Sequence, residues 1–213
     1  MKTVYLVRHG ETLSNIKKLW QDGSDELSPA GFVQADVLAA RIKNISVDMA
    51  ISSTLTRAVQ TAEQITKQTG LLFTQSAFFA EATVPTSTVG YAYENDENNP
   101  VFKFFAARDA QTDNPNFRYE DEETFNEFIS RIKEGLEYLN SLPVENILVV
   151  THGTILRTLI SCIMHQGMDM TLFELFKAGW NLETVNASIS VIRKKDDKPW
   201  TVLTFNDHAH FAE

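Results

Sequence analysis

Two histidines of this chain each follow a short apolar run and precede a glycine. Residues 4–7 lead into Arg8 and His9, and residues 147–150 lead, one residue later, into His152. Runs of this composition are typical of buried strands. Ligands of open α/β sheets bind in the crevice outside the carboxyl ends of the strands. The pattern therefore predicts that two imidazoles and an arginine meet over one site.

A third junction adds another cation. Residues 49–51 predict a short strand, and a helix is predicted from about Leu55 to Lys67 with Arg57 in its first turn. A helix N-terminus has free N–H groups and a positive dipole, which favour a bound anion. Arginines also hold a phosphate with paired hydrogen bonds. One such arginine is most often a surface charge, but two arginines and two histidines from three strand ends indicate a phosphate site.

These residues belong to blocks that resemble the histidine phosphatase superfamily, which includes the cofactor-dependent phosphoglycerate mutases. The blocks are Arg8-His9-Gly10-Glu11-Thr12 with Asn15, Ser53-x-x-x-Arg57-Ala58-x-Gln60-Thr61-Ala62, and Thr151-His152-Gly153. The loop at 21–31, the strand entry at 186–190 and the tail at 206–210 resemble the same family. The resemblance therefore covers the chain from its first strand to its last.

The resemblance implies a covalent mechanism in which His9 attacks phosphorus and water then hydrolyses the phosphohistidine. His9 must then be neutral, and like-charge repulsion from Arg8 and Arg57 should lower its pKa. His152 is expected to be protonated and to neutralise phosphoryl oxygens together with the two arginines. Glu11 is expected to anchor its loop, and no metal ion or cofactor is required. Three further residues are expected at the substrate: Asn15, Gln21 and Gly153.

A departing alkoxide needs a proton, so the resemblance also implies a carboxylic acid after the third strand. Glu81 is the first choice. In many relatives a glycine lies about four residues after this acid and is followed by an aromatic residue and a glutamate. Here the corresponding Gly90-Tyr91-Ala92-Tyr93-Glu94 begins nine residues after Glu81. Either the loop carries an insertion or Glu94 is the acid.

The alternation of apolar patterns predicts the fold class. Helices are expected at 28–43, 125–139 and 155–164, and late strands at 188–192 and 200–205. Strands that alternate with helices indicate an α/β fold with a mostly parallel central sheet and helices on both faces, here phosphoglycerate mutase-like. We expect one domain over 1–213. Residues 78–120 lack this alternation of strand and helix patterns and are rich in aromatic side chains. They therefore predict an inserted cap over the substrate.

Composition limits the partners. The 213 residues carry a net charge of −9, which argues against nucleic acid and anionic membranes as partners. No apolar run approaches the length of a membrane span, and no signal peptide is recognised, so a cytoplasmic location is expected. The single cysteine, Cys162, predicts a packed thiol. The chain is expected to be a monomer or a homodimer.

Three functions remain open at this level. The leading one is a phosphatase that acts on a small phosphorylated metabolite. The second is a mutase, which must hold a bisphosphate intermediate and therefore needs further basic groups. The loop after Leu19 is instead acidic, with Asp22, Asp25 and Glu26, which favours the phosphatase. The third is a catalytically silent phosphate-binding protein, which the presence of all four cationic or imidazole side chains disfavours.

Overall fold

The site lies at the edge of a six-stranded sheet, which a computed structural model describes for residues 1–111 and 113–212. Residues 112 and 213 lie outside the described residues. Both belong to the predicted domain, and residue 112 also belongs to the predicted cap. The strands are β1 (Lys2–Arg8), β2 (Met49–Ser52), β3 (Phe73–Gln75), β4 (Asn146–Thr151), β5 (Ile189–Lys194) and β6 (Thr201–Asp207). Their order in the sheet is β3-β2-β4-β1-β5-β6. β3, β2, β4 and β1 are parallel, whereas β5 and β6 are antiparallel. The mostly parallel α/β prediction is confirmed.

The helices cover the two faces of the sheet, and some of them connect its parallel strands. They are α1 (Leu13–Lys17), α2 (Pro29–Ile42), α3 (Thr56–Thr69), α4 (Pro100–Asp109), α5 (Phe125–Ser141), α6 (Gly153–Met164) and α7 (Leu172–Trp180). None of these described helices is long and apolar enough to cross a bilayer.

Both faces of the sheet are buried, because successive side chains of a strand point to opposite sides. Val4 and Leu6 of β1 belong to one apolar cluster, and Val7 belongs to the other. The first cluster is completed by α5 and α6, and the second by α2 and α3. Representative helical members of the two clusters are Ile132, Leu159, Leu38 and Ile65.

The predicted cap segment contains one helix, α4, among loops and two short 3-10 turns, Ala77–Phe79 and Thr86–Thr88. The sequence did not predict α4, α1, β3 or α7, which are short. For α7 a local signal existed: Thr171 and Glu174 form a capping box at its start. The half-buried Cys162 packs on α6, and burial raises the pKa of its thiol to about 11, as a packed rather than reactive cysteine requires.

Candidate active site

The parallel pairing of β1 with β4 brings the two histidines together. Arg8 is paired with Thr151, and the next residue on each strand is a histidine. The backbone N–H of His9 donates to the Thr151 carbonyl at 2.9 Å. The two buried rings lie with centroids 5.1 Å apart. Two imidazoles separated by more than 140 positions therefore share one strand-end site.

The ring of His9 is held in one tautomer. Its Nδ1 is 2.6 Å from the Gly10 carbonyl, which can only accept, so Nδ1 carries the hydrogen. The lone pair is then on Nε2, and the Nε–H of Arg57 donates to it at 3.3 Å. Burial lowers the pKa of His9 well below 6.5, and the positive charges of Arg57 and Arg8 lower it further. His9 is therefore a neutral imidazole with an oriented lone pair.

The turn after β1 allows two backbones to touch. A Cβ on Gly10 would lie 2.5 Å from the Gly31 carbonyl oxygen, and a Cβ on Gly31 would lie 2.0 Å from the Glu11 carbonyl oxygen. Only glycine fits at either position. Glu11 faces this contact and accepts from the Ser28 hydroxyl at 3.3 Å, as expected of a residue that anchors the loop. The turn that carries His9 is thus pressed against the start of α2.

The two arginines are oriented by backbone carbonyls. Arg8 donates through Nη1 to the Thr184 carbonyl at 2.5 Å, and Arg57 donates through Nη1 to the Asp22 carbonyl at 2.6 Å. Burial lowers the pKa of Arg8 to about 10 and also lowers that of Arg57, and in both cases the charge of Glu81 acts in the opposite direction. Both guanidinium groups remain cationic near neutral pH.

His152 lies beside His9, as the two strand-end patterns predicted. Its Nε2 is 2.7 Å from the Ser53 hydroxyl, and its buried Nδ1 has no partner among the described residues. Burial lowers the pKa of His152 well below 6.5, and the charges of His9 and the arginines add to this effect. A buried imidazolium among cations is unfavourable, so the ring is neutral in the ligand-free protein. The expectation of a protonated ring concerns the site with phosphate bound and stays a prediction.

The other predicted binding residues also surround this place. Asn15 and Gln21 line the same cavity as His9. The Oδ1 of Asn15 accepts from the Thr12 N–H and the Asn186 amide, so the Nδ2 donor is the group that Asn15 can offer a ligand. Gln21 donates to the Thr12 hydroxyl at 2.7 Å. Gly153 lies beside Arg8, where a Cβ would be 3.4 Å from the arginine Nε.

The two candidate acids are placed differently. Glu81 lines the cavity, and its carboxylate accepts from the Thr154 and Ile155 N–H groups at 2.9 and 3.0 Å. These donors belong to the first turn of α6, one residue after His152 and Gly153. Glu94 is exposed and is not among the cavity residues. The structure places Glu81 on the wall of the cavity that His9 also lines and leaves Glu94 outside it.

The cavity has a volume of about 450 Å³ and extends away from His9 between α4, α5 and α7. Its far walls contain residues that the sequence analysis missed, namely Arg157 on α6 and the aromatic side chains of α7. Arg157 lies four residues after Gly153, so a helix predicted to begin at this glycine would have placed both residues on one face. α7 itself was missed, and its side chains were missed with it.

No group of three or more His, Cys, Asp or Glu side chains that could hold a metal ion occurs in the described part of the chain. The charged side chains that line the cavity with His9 include Arg8, Arg57 and Glu81. This arrangement places a neutral imidazole beside two guanidinium groups and a carboxylate.

Comparisons with known proteins agree with this geometry. The chain matches the family model described as histidine phosphatase superfamily (branch 1) over residues 4–208. It is 28% identical over 214 residues to the Uncharacterized phosphatase PhoE of Bacillus subtilis, covering 100% of this chain and 98% of that protein. It is 31% identical over 219 residues to the Probable phosphoglycerate mutase GpmB of Escherichia coli O1:K1 / APEC, covering 99% and 95%.

The fold is shared with solved structures as well. YhfR of Bacillus stearothermophilus superimposes with a TM-score of 0.79 at 24% identity, covering 99% of both chains. The family model spans the strands, the histidines and the arginines described above. The chain is therefore a member of the histidine phosphatase superfamily (branch 1), as its three sequence blocks predicted.

Proposed function

We propose that this protein is a metal-independent phosphomonoesterase that cleaves a small phosphorylated metabolite through a phosphohistidine on His9. The observation that carries the proposal is the state of that ring. Its Nδ1–H is directed to the Gly10 carbonyl, which makes Nε2 the nucleophile. Its lowered pKa keeps the ring neutral near pH 7. A neutral, oriented imidazole beside two guanidinium groups is suited to attack on a phosphate ester.

The polar atoms of the site also fit a phosphate. Arg8 Nε and His152 Nδ1 are buried and have no hydrogen-bond partner among the described residues. Phosphate oxygens would give each of them one, and Asn15 Nδ2 can donate to the same group. The negative charge of the phosphate would raise the pKa of His152, so we expect its protonation to accompany substrate binding.

Two displacements complete the reaction. In the first, His9 Nε2 bonds to phosphorus and the P–O bond to the leaving group breaks. Glu81, a carboxylate in the ligand-free site that takes up a proton when the substrate binds, gives this proton to the departing oxygen. In the second, a water oxygen attacks phosphorus, the P–N bond breaks, and the Glu81 carboxylate takes a proton from that water. His9 and Glu81 return to the states that they had with substrate bound, and the products are an alcohol and inorganic phosphate.

Charge at the cavity edge supports hydrolysis over mutase transfer. Asp22 and Asp25 lie near enough to Arg57 to oppose the lowering of its pKa by burial. Carboxylates at this edge would repel the second phosphate of a bisphosphate intermediate. The relatives include both phosphatases and phosphoglycerate mutases by name, so mutase transfer remains the second candidate. Identification of the products from phosphoglycerates separates the two reactions.

The test is a single-turnover reaction with a ³²P-labelled phosphomonoester in the presence of EDTA. We expect wild-type protein to give an acid-labile, base-stable labelled protein and to turn over, and His9→Ala to do neither. His208→Ala is the matched control, because His208 is an exposed histidine near the chain end. Turnover that survives in His9→Ala, or that EDTA abolishes, contradicts the proposal.

A further inference from the structure

The cavity continues past the phosphate site into a chamber with an aromatic wall. This wall consists of Trp20, Phe104, Phe105, Phe125, Phe176 and Trp180, all of which line the cavity. Its rings contact one another across three elements: Trp20 and Phe105 have centroids 5.6 Å apart, and Phe105 and Trp180 have centroids 6.0 Å apart. A cavity of about 450 Å³ exceeds what a phosphate needs, since ligand sites of roughly 300–1,000 Å³ hold drug-sized molecules. The leaving group therefore has an apolar surface to pack against.

Arg157 is one of the cationic side chains that line this chamber beside its aromatic wall. Its guanidinium lies 5.5 Å from the Trp180 ring centroid, and no carboxylate lies within 4.0 Å of it among the described residues. It is half-buried, and burial lowers its pKa. It is close enough to Glu81 and Arg8 for their charges to interact with it. Arg157 is therefore a cation on the cavity wall that has no carboxylate partner among the described residues.

The position of Arg157 is built into the packing of α7 on α6. A Cβ on Gly179 would lie 3.1 Å from the Arg157 carbonyl oxygen, so glycine lets the two helices approach closely. The Ser161 hydroxyl donates to the Leu175 carbonyl at 2.7 Å and ties the helices together one turn further on. This packing sets Trp180 against the guanidinium of Arg157.

Two other cationic side chains, Arg108 and Lys177, line the chamber in different environments. Arg108 is paired with Glu122 at 2.7 Å, and both side chains are buried. Lys177 is exposed at the rim, where its amine lies 5.8 Å from the Phe173 ring centroid. Arg157 is thus the half-buried cation of the chamber that a ligand can neutralise.

We propose, on the basis of the proposed phosphatase activity, that Arg157 binds a carboxylate on an apolar leaving group that packs against the aromatic wall. Arginine matches a carboxylate with two parallel hydrogen bonds, and the Trp180 ring 5.5 Å from the guanidinium carbon holds the cation beside it. One guanidinium balances one carboxylate, whereas a second phosphate dianion would require more than one cation. The preferred substrates are therefore phosphate esters of apolar hydroxy acids rather than bisphosphates or small neutral esters.

A matched set of synthetic esters tests the carboxylate. In 2-(4-carboxyphenyl)ethyl phosphate and 2-(4-methylphenyl)ethyl phosphate the departing oxygen sits on the same two-carbon arm, so their leaving-group basicities are close. We expect wild-type kcat/KM to favour the carboxylate by roughly tenfold to a hundredfold, as a charge-assisted contact would give. Phosphoglycolate, which has a carboxylate and no apolar body, is expected to be poorer than the carboxylated aryl ester.

Arg157→Met removes the charge and keeps an unbranched side chain against Trp180. It is expected to abolish the preference for the carboxylate, read as the ratio of kcat/KM for the two esters. Lys133→Met, which removes one charge from an exposed position on α5, is expected to keep the preference. An unchanged preference in Arg157→Met overturns the proposal, and so does an equal loss on both esters, because the contact would then be to the phosphoryl group.

Binding to His9→Ala separates this proposal from the phosphatase mechanism. Ligand affinity is read there from the fluorescence of Trp20 and Trp180, without any turnover. We expect the carboxylated ester to bind more tightly than the methyl ester, and Arg157→Met in the same background to equalise them. Selective binding with no wild-type turnover would overturn only the phosphatase mechanism, whereas turnover with unselective binding would overturn only the role of Arg157.

Discussion

The imidazole rings of His9 and His152 lie 5.1 Å apart, and the pKa of each is held well below 6.5 by burial. In the unfolded chain both rings take up protons below about pH 6.5, whereas in the folded protein neither does. Stability should therefore fall as the pH falls below about 6.5, by up to about 1.4 kcal/mol per pH unit for each ring. Above that pH the two rings contribute no slope.

Urea unfolding over a pH series from about 5 to about 8 measures this slope. His152→Gln should remove part of it, since one titrating ring is then absent from the unfolded state. His208→Ala, which alters an exposed ring, should leave it unchanged. If His152→Gln has the wild-type slope, the ring is not buried in its neutral form.

Glu81→Gln should separate leaving groups by their basicity. We expect kcat for an alkyl phosphate to fall by roughly 10²–10⁴, because the departing alkoxide then lacks its proton donor. An activated aryl phosphate leaves without a proton and should be spared. Steady-state kinetics on both esters checks this, with Glu94→Gln as the control for an exposed glutamate. An equal loss on the two esters contradicts the acid role.

Gly31→Ala should destabilise the protein by at least about 2 kcal/mol, since its Cβ would lie 2.0 Å from the Glu11 carbonyl oxygen. Backbone must move for the substitution to fit, and the turn that carries His9 would move with it. Gly23→Ala is the control, because its Cβ meets only the flexible Leu55 side chain at 3.3 Å. Thermal unfolding gives the melting temperatures of the two variants. Equal melting temperatures would show that the backbone around Gly31 shifts to accept the added methyl group.

Arg108→Met should destabilise the cap by about 3–5 kcal/mol, because it leaves the carboxylate of Glu122 buried without its partner. Burial already raises the pKa of Glu122. Arg118→Met interrupts the exposed pair with Glu127 and should cost less than about 1 kcal/mol. Denaturant unfolding measures both. Similar costs for the two variants would mean that the Arg108 pair is solvated.

Much of the fold was predictable because its signals are local. Apolar alternation and turn residues within short windows marked β1, β4, α2, α3, α5 and α6, and the structure contains them at nearly the predicted bounds. The short elements α1, β3, α4 and α7 carry too few residues for their periodicity to be recognised. Their stability comes from packing onto the sheet and its helices, which a single sequence does not display.

The sequence by itself located the proposed nucleophile, His9, and the proposed anion-binding groups, Arg8 and Arg57. Each follows a strand or opens a helix, and that local pattern places it at the sheet edge. Only the tertiary structure decided that the Glu81 carboxylate accepts hydrogen bonds from the first turn of α6 and that Arg157 lies against Trp180. It also decided that His152 is neutral without a ligand. The physical reason is that ring charge and side-chain partners depend on burial and on contacts between residues far apart in the chain.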